Sequence, residues 1–443
     1  MRWNKPIKVM LVPDSTYWVT GTMANEIASK VPGIEATVCS ANVLNELLQT
    51  CNGHFPLPLD VVHFLTPHIA TALFPKFAAR TACVATINHV ENSLSMEPAD
   101  YVDSIMAMCR QWYDYLIEKG IQKERLTIVH YGVDTDIFRP PDQTERNKLR
   151  QRYGIPDDAF VIGFSAKRSS DSCGRKGINI LEQLIAESSV KNPSIWWVIR
   201  GPGWQSLVNE QSELGARITH LPFLLEKKDV AETYRLMDAY IVTSRIEGGP
   251  VPLFEAMSSG LSCISTKVGL APELINNGDN GFLVDFDDVE EFSEIISSLE
   301  KNSALRERIG IQARKTILNN LKWEQTLSNV PVLYQKAITA FNQRMDSIAP
   351  TKPDIFPNIN SQWTESKLKN WVNKRELLVL IGLLNSEGEF HTATKLANSA
   401  LLKNMFDKEI WLLYARFSSA SKFLNLIMRV KRKVKMAITK QSA

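Results

Sequence analysis

Short β-branched apolar runs alternate with helix-patterned stretches from residue 7 onward, and nothing else in these 443 residues constrains the fold as strongly. The first series is IKVMLV (7–12), EATVC (35–39), DVVHFL (60–65), ACVATI (82–87), SIMAM (104–108) and LTIVHY (126–131). Strand runs separated by helical stretches predict βαβ units, a parallel sheet and right-handed crossovers. The stretch GVDTDIFRPPDQTERNKLRQRYGIPDDAF (132–160) then loses the strand pattern and reads as a linker. A second series follows: FVIGFSA (160–166), IWWVIRG (195–201), RITHLPF (217–223), AYIVTS (239–244), LSCIST (261–266) and GFLVDF (281–286). The predicted fold class is α/β, with two doubly wound Rossmann-like domains facing across a cleft and a C-terminal all-helical extension. Its parts are a first domain over 1–132, a linker over 133–159, and a second domain with trailing helices over 160–346. In such sheets ligands bind beyond the carboxyl ends of the strands, so the cleft is the expected site.

Three prolines between Pro350 and Pro357 mark a further boundary, after which 363–419 reads as a helical hairpin similar to a single tetratricopeptide-type pair. The formal net charge of +3 is local in origin. Lys422 to Lys440 carries seven basic residues and no acidic one, leaving 44 Lys and Arg against 48 Asp and Glu elsewhere. Within that tail Phe423, Ile427, Val430, Val434 and Ile438 share one helical face, which suits contact with an anionic membrane surface through 422–440 and no specific nucleic acid. The six cysteines are scattered without a CxxC pair, which reads as buried thiols in a reducing compartment. With no signal-peptide h-region and no long apolar span, the expected location is cytoplasmic, peripheral at the inner membrane face.

The stretch SRIEGGPVPLFEAMSSG (244–260) concentrates the chemistry. The strand before it delivers Glu247 to the cleft edge. Gly248 and Gly249 allow close backbone approach, and Pro250 suits the start of a helix that carries Glu255. A helix N-terminus attracts anions, and carboxylates accept hydrogen bonds from vicinal hydroxyls. A ligand with both phosphates and hydroxyls, a nucleotide sugar, meets both demands.

The whole run from Glu247 to Val284, with its E-x7-E pattern, Gly260, Gly269, Pro272, Glu273 and NGDNGFLV, resembles the donor-binding signature of the retaining glycosyltransferases of family four, the glycosyl transferases group one, of GT-B architecture. The resemblance implies that Glu247 binds the transferred sugar and Glu255 the nucleotide ribose. It implies that the backbone of Gly248 and Gly249 meets sugar and diphosphate, with Leu253 packing nearby. GFSAKRSSDSCGRKGINILEQL (163–184) supplies the family's cations: Lys176 of Lys176-Gly177, and either Lys167 or Arg168, with Arg175 a third candidate. Fixed cations there stabilise the charge that builds on a leaving diphosphate. His89 in TINHVENS stands where the family places a histidine near the reaction centre, so His89, Lys176 and Glu247 are the expected catalytic set. Gly21-Thr22, in the expected loop before the first helix, resembles the family's glycine-containing nucleotide and acceptor loop without its Gly-Gly.

Asp134-Thr135-Asp136 forms Asp-x-Asp but sits in the interdomain segment, and no His/Cys ligand spacing accompanies it, so no metal and no cofactor are expected. The implied reaction is sugar transfer from a nucleotide diphosphate sugar donor to a glycan or lipid-linked acceptor hydroxyl, metal-independent and with retention. No second carboxylate stands out as the nucleophile that double displacement needs. The rival readings are a nucleotide-sugar epimerase of the same architecture and a non-catalytic interaction protein with a vestigial cleft.

Overall fold

The computed structural model describes residues 5–347 except 52, 54, 56 and 193. The expected helical extension (363–419) and basic tail (422–443) lie outside the described residues.

The first half alternates β1 (Ile7–Val12), α1 (Val19–Lys30), β2 (Ile34–Val38), α2 (Ala41–Thr50), β3 (Val61–Phe64), α3 (Pro67–Phe77), β4 (Ala82–Ile87), α4 (Ser93–Met96), β5 (Ser104–Ala107), α5 (Arg110–Glu118) and β6 (Leu126–Ile128). After α6 (Gln143–Arg152) the second half runs β7 (Phe160–Ser165), α7 (Ser170–Lys176), α8 (Ile178–Lys191), β8 (Ile195–Arg200), α9 (Gln205–Glu213), β9 (Arg217–Leu221), α10 (Lys227–Tyr234), β10 (Ala239–Val242), α11 (Val251–Ser258), β11 (Ser262–Thr266), α12 (Ala271–Leu274) and β12 (Phe282–Val284). It ends in α13 (Val289–Lys301), α14 (Ser303–Asn320), α15 (Trp323–Thr326) and α16 (Val330–Ser347). All strand pairs are parallel, in the orders β2-β1-β3-β4-β5-β6 and β12-β11-β10-β7-β8-β9. Central strands such as β3, β4 and β10 are buried at every position, because helices cover both faces of each sheet. The strand order reverses between β1 and β3 in one sheet and between β10 and β7 in the other, and crevices for ligands open at such switch points.

Two segments depart from the expected partition. The stretch 133–159 is docked rather than free: Arg150 of α6, 1% exposed, donates to Asp238 at 2.7 Å and to the carbonyls of Leu236 and Ala159. The chain then crosses back. Val133 N donates to Leu321 O at 2.7 Å, Trp323 packs on Tyr131, and α16 lies on β3 to β6 of the first sheet rather than on the second. The amphipathic pattern of α16 says only that one face is covered; Leu333, Tyr334 and Ala337 find that cover in the first domain's core.

Candidate active site

The loop between β10 and α11 carries Glu247, whose carboxylate is 10% exposed. Its Oε1 is gripped by Lys176 Nζ, accepts from Ser244 Oγ at 2.9 Å and lies 3.7 Å from Arg175 Nη1. Burial alone would raise this carboxyl, but Lys176 and Arg175 outweigh it and hold the group below the usual carboxylate range. Lys176 is in place because Gly177, at φ +60°, turns the chain from α7 into α8, and because Thr243 Oγ1 donates to Lys176 O at 2.8 Å. A Cβ on Gly177 would lie 1.9 Å from Thr243 O, so the Lys-Gly pair needs its glycine for conformation and for space.

The first domain completes this cluster. His89 follows β4, and its Nε2 lies 3.1 Å from Glu91 Oε1; Glu91 in turn accepts from Arg175 Nε at 2.7 Å. Burial first, and Arg175 second, lower the His89 pKa, leaving the imidazole neutral at pH 7. His89, Glu91, Arg175, Lys176 and Glu247 therefore form one chain of contacts across the two domains.

Glu255 stands apart in a second group. Its Oε2 accepts from Tyr234 OH at 2.7 Å, and Tyr234 OH accepts from Arg200 Nη2 at 3.0 Å. Burial raises the Glu255 pKa, with Arg200 and Tyr234 pulling the other way. Tyr131 of the first domain senses this carboxylate and bonds Thr22, and Lys227 of α10 reaches Glu26 of α1 at 2.9 Å. In both glutamates the second oxygen, Glu247 Oε2 and Glu255 Oε1, has no partner among the described residues, and neither is sealed from water. Each glutamate is thus held by one oxygen and presents the other.

The remaining expected positions divide. Lys167 is exposed with a free ammonium, whereas Arg168 is spent on Glu182 at 3.1 Å. Gly248 lies against the first domain and Gly249 has open room. Leu253 is 0% exposed, packed in the second domain's core beneath the loop. Gly21 is a correction: it lies inside α1, not in a loop before it, because Ser15 O and Thr16 crowd within 2.4 Å of where its Cβ would be. Asp134 accepts from Ile137 N at 3.2 Å and shapes a turn; among the described residues no cluster of metal-ligating side chains occurs. Sequence reasoning missed Glu91, Arg200 and Tyr234. The charged Arg200 closing the apolar run of β8 was a usable signal; the other two carried none.

Residues 141–316 match the family described as glycosyl transferases group 1. The chain is similar to spore coat protein SA of Bacillus subtilis (27% identity over 229 residues, 48% of this chain and 59% of that protein). It is also similar to the D-inositol 3-phosphate glycosyltransferase of Mycobacterium bovis (29% over 233 residues, 50% of this chain and 46% of that protein). The chain spans about half the length of the curated relatives it matches. Among solved structures, Anabaena Alr3699/HepE in complex with UDP and glucose shares the fold, with a TM-score of 0.59, 18% identity, and coverage of 78% of this chain and 100% of that one. Among the described residues no helix is long and apolar enough to cross a membrane.

Proposed function

Since the chain belongs to the glycosyl transferases group 1 through its second domain, we propose that it moves a sugar from a nucleotide diphosphate donor to an acceptor hydroxyl. The observation that carries this reading is the pair of half-free carboxylates: Glu247 beside two cations, Glu255 on a buried Arg200–Tyr234 support. A sugar hydroxyl donating to Glu247 Oε2 and a ribose hydroxyl donating to Glu255 Oε1 would each meet an acceptor already oriented from behind. The relatives' names favour a sugar-phosphate chemistry: one relative is a D-inositol 3-phosphate glycosyltransferase, and one structural neighbour holds UDP and glucose.

In the proposed step the bond from the anomeric carbon to the diphosphate oxygen breaks and the acceptor oxygen bonds to that carbon. The acceptor proton passes to the departing phosphate, which gives retention by a front-face route. Lys176, Arg175 and the free ammonium of Lys167, with the N–H groups at the start of α11, stabilise the charge left on the diphosphate, so the step is proposed to need no metal. Neutral His89 is proposed to face the sugar. The acceptor is proposed to be a glycan or lipid-linked hydroxyl, brought to the chain by contact of 422–440 with an anionic membrane.

The test is a screen of the full chain against UDP-, GDP-, ADP- and TDP-sugars for thermal stabilisation and nucleotide release, with Glu247→Ala and a chelator alongside. One donor should stabilise the chain, the variant should lose about 10²–10³-fold in turnover, and chelator should change nothing. Stabilisation by no donor would sink the proposal.

A further inference from the structure

The first turn of α5 belongs to the first domain, yet three consecutive residues of it bond the second. Arg110 N donates to Glu273 Oε1 at 2.6 Å, Gly269 N donates to Gln111 Oε1 at 2.8 Å, and Trp112 Nε1 donates to Glu247 O at 2.7 Å. Trp112, 7% exposed, sits within the second domain's core cluster although its helix starts from the first sheet. The two loops it meets are themselves one layer. Leu270 N donates to Gly248 O at 3.1 Å, and Gly269, at φ +55°, passes so close that a Cβ there would lie 2.5 Å from Gly248 O.

We propose that Gln111 and Trp112 are positioning residues that set the backbone of the donor loops from across the domain boundary. The peptide unit after Glu247 is planar and trans, so fixing its carbonyl fixes the direction of the Gly248 N–H, which points to the side away from Trp112. Gln111 likewise holds the one N–H of Gly269 that would otherwise compete for a ligand's oxygen. Glu247 therefore takes its side-chain support from its own domain, through Lys176 and Ser244, and its main-chain support from the other. A loop set this way is in register only when both domains are in contact. The kinetic consequence rests on the transfer reading above; the loop-setting does not.

Three variants of the full chain test this: Trp112→Phe removes the N–H and keeps a ring, Gln111→Met removes the acceptor at similar size, and Gln111→Glu keeps an acceptor oxygen. The first two should speed amide exchange at 245–250 and 268–272 about tenfold without substrate, the scale of one lost hydrogen bond. They should lower kcat about ten- to hundredfold, with the donor KM within about threefold, while Gln111→Glu stays near the parent. A lower thermal midpoint with unchanged exchange and unchanged kcat would overturn the proposal. A parent chain that transfers no sugar would end the transfer reading, and the exchange rates would still decide the positioning role: no acceleration in Trp112→Phe refutes it.

Discussion

Replacing Gly248 by alanine and Gly249 by alanine should have opposite structural consequences, although the two glycines are adjacent. A Cβ on Gly248 would lie 1.8 Å from Asn88 O and 2.8 Å from its carbonyl carbon. Carbon-to-oxygen contacts settle near about 3.3 Å, so the Asn88–His89 loop and the Glu247 loop would have to part by about 1.5 Å. Neither side is a flexible side-chain tip: Asn88 is tied through its Nδ2 to Leu65 O at 3.1 Å, and Glu247 O is tied to Trp112. Overpacking of this kind costs about 1–3 kcal/mol, which two full domains survive folded. Misplacing reacting groups by about 1 Å costs on the order of 10² in rate, and His89 moves with Asn88. Gly248→Ala should therefore remain folded and lose about a hundredfold in kcat. A Cβ on Gly249 meets only Phe254 Cε2 at 3.5 Å, an ordinary contact, so Gly249→Ala should leave the thermal midpoint unchanged, and any loss of turnover there reports a ligand against that backbone. Circular dichroism, thermal midpoints and steady-state transfer with the best donor make the comparison. Parent-level turnover in Gly248→Ala would refute the argument that the two loops meet in the working enzyme.

Two predictions concern protons. His63 is 0% exposed between Thr86 Oγ1 at 2.8 Å and Tyr334 OH at 3.1 Å, and burial lowers its pKa to about 3. Because the unfolded chain binds the proton first, stability is full above about pH 6.5 and falls as pH drops toward 3; about 2 kcal/mol should go between pH 7 and 5. His68 and His89 add to that slope in the same direction, and denaturant unfolding of His63→Gln should show a shallower slope than the parent; identical slopes would contradict the assignment. For the site, a nucleoside diphosphate without sugar should draw Lys176 off Glu247, leaving burial, which raises the carboxyl, less opposed. Binding should then take up a fraction of a proton and strengthen as pH falls, measurable by calorimetry in buffers of different ionisation enthalpy; zero uptake would count against the exchange of partners.

Much of this was legible because parallel strands covered on both faces are continuous apolar runs, and each of the twelve lies where its run does. Glu247 and Glu255 were legible because a glycine-rich strand-to-helix turn with carboxylates on either side has few structural uses. What was hidden depended on partners far along the chain. Glu91 is an ordinary loop acid until Arg175, from the other domain, arrives at 2.7 Å. Gly21 was misplaced because a glycine in a helix normally weakens it, and only the backbone folded over it at Ser15 and Thr16 explains why a larger residue has no room. The side of the molecule that α16 joins is set by the return of the chain at Leu321 to Trp323, which no local pattern encodes.

The two faces of the domain boundary are built from different physics, and the difference bears on function. Where the chain crosses, Tyr131, Trp323, Leu327, Val330 and Val251 share one buried apolar cluster, and Trp323 Cδ2 stands 2.5 Å from where a Gly132 Cβ would be. Opening that side would expose large apolar surface at about 25 cal/mol per Å². On the cleft side the ties among the described residues are mostly polar: Arg175 to Glu91, Lys227 to Glu26, and the three bonds of the first turn of α5. Water can replace each of these at a net cost of about 1 kcal/mol or less. The crossing therefore acts as the fixed edge, and the cleft is held shut by contacts that a ligand bridging Glu247, Lys176 and the His89 loop can reinforce at modest energetic expense. A site assembled from both domains at its weaker edge is complete only when that edge is closed, which is where transfer to an acceptor rather than to water is best protected.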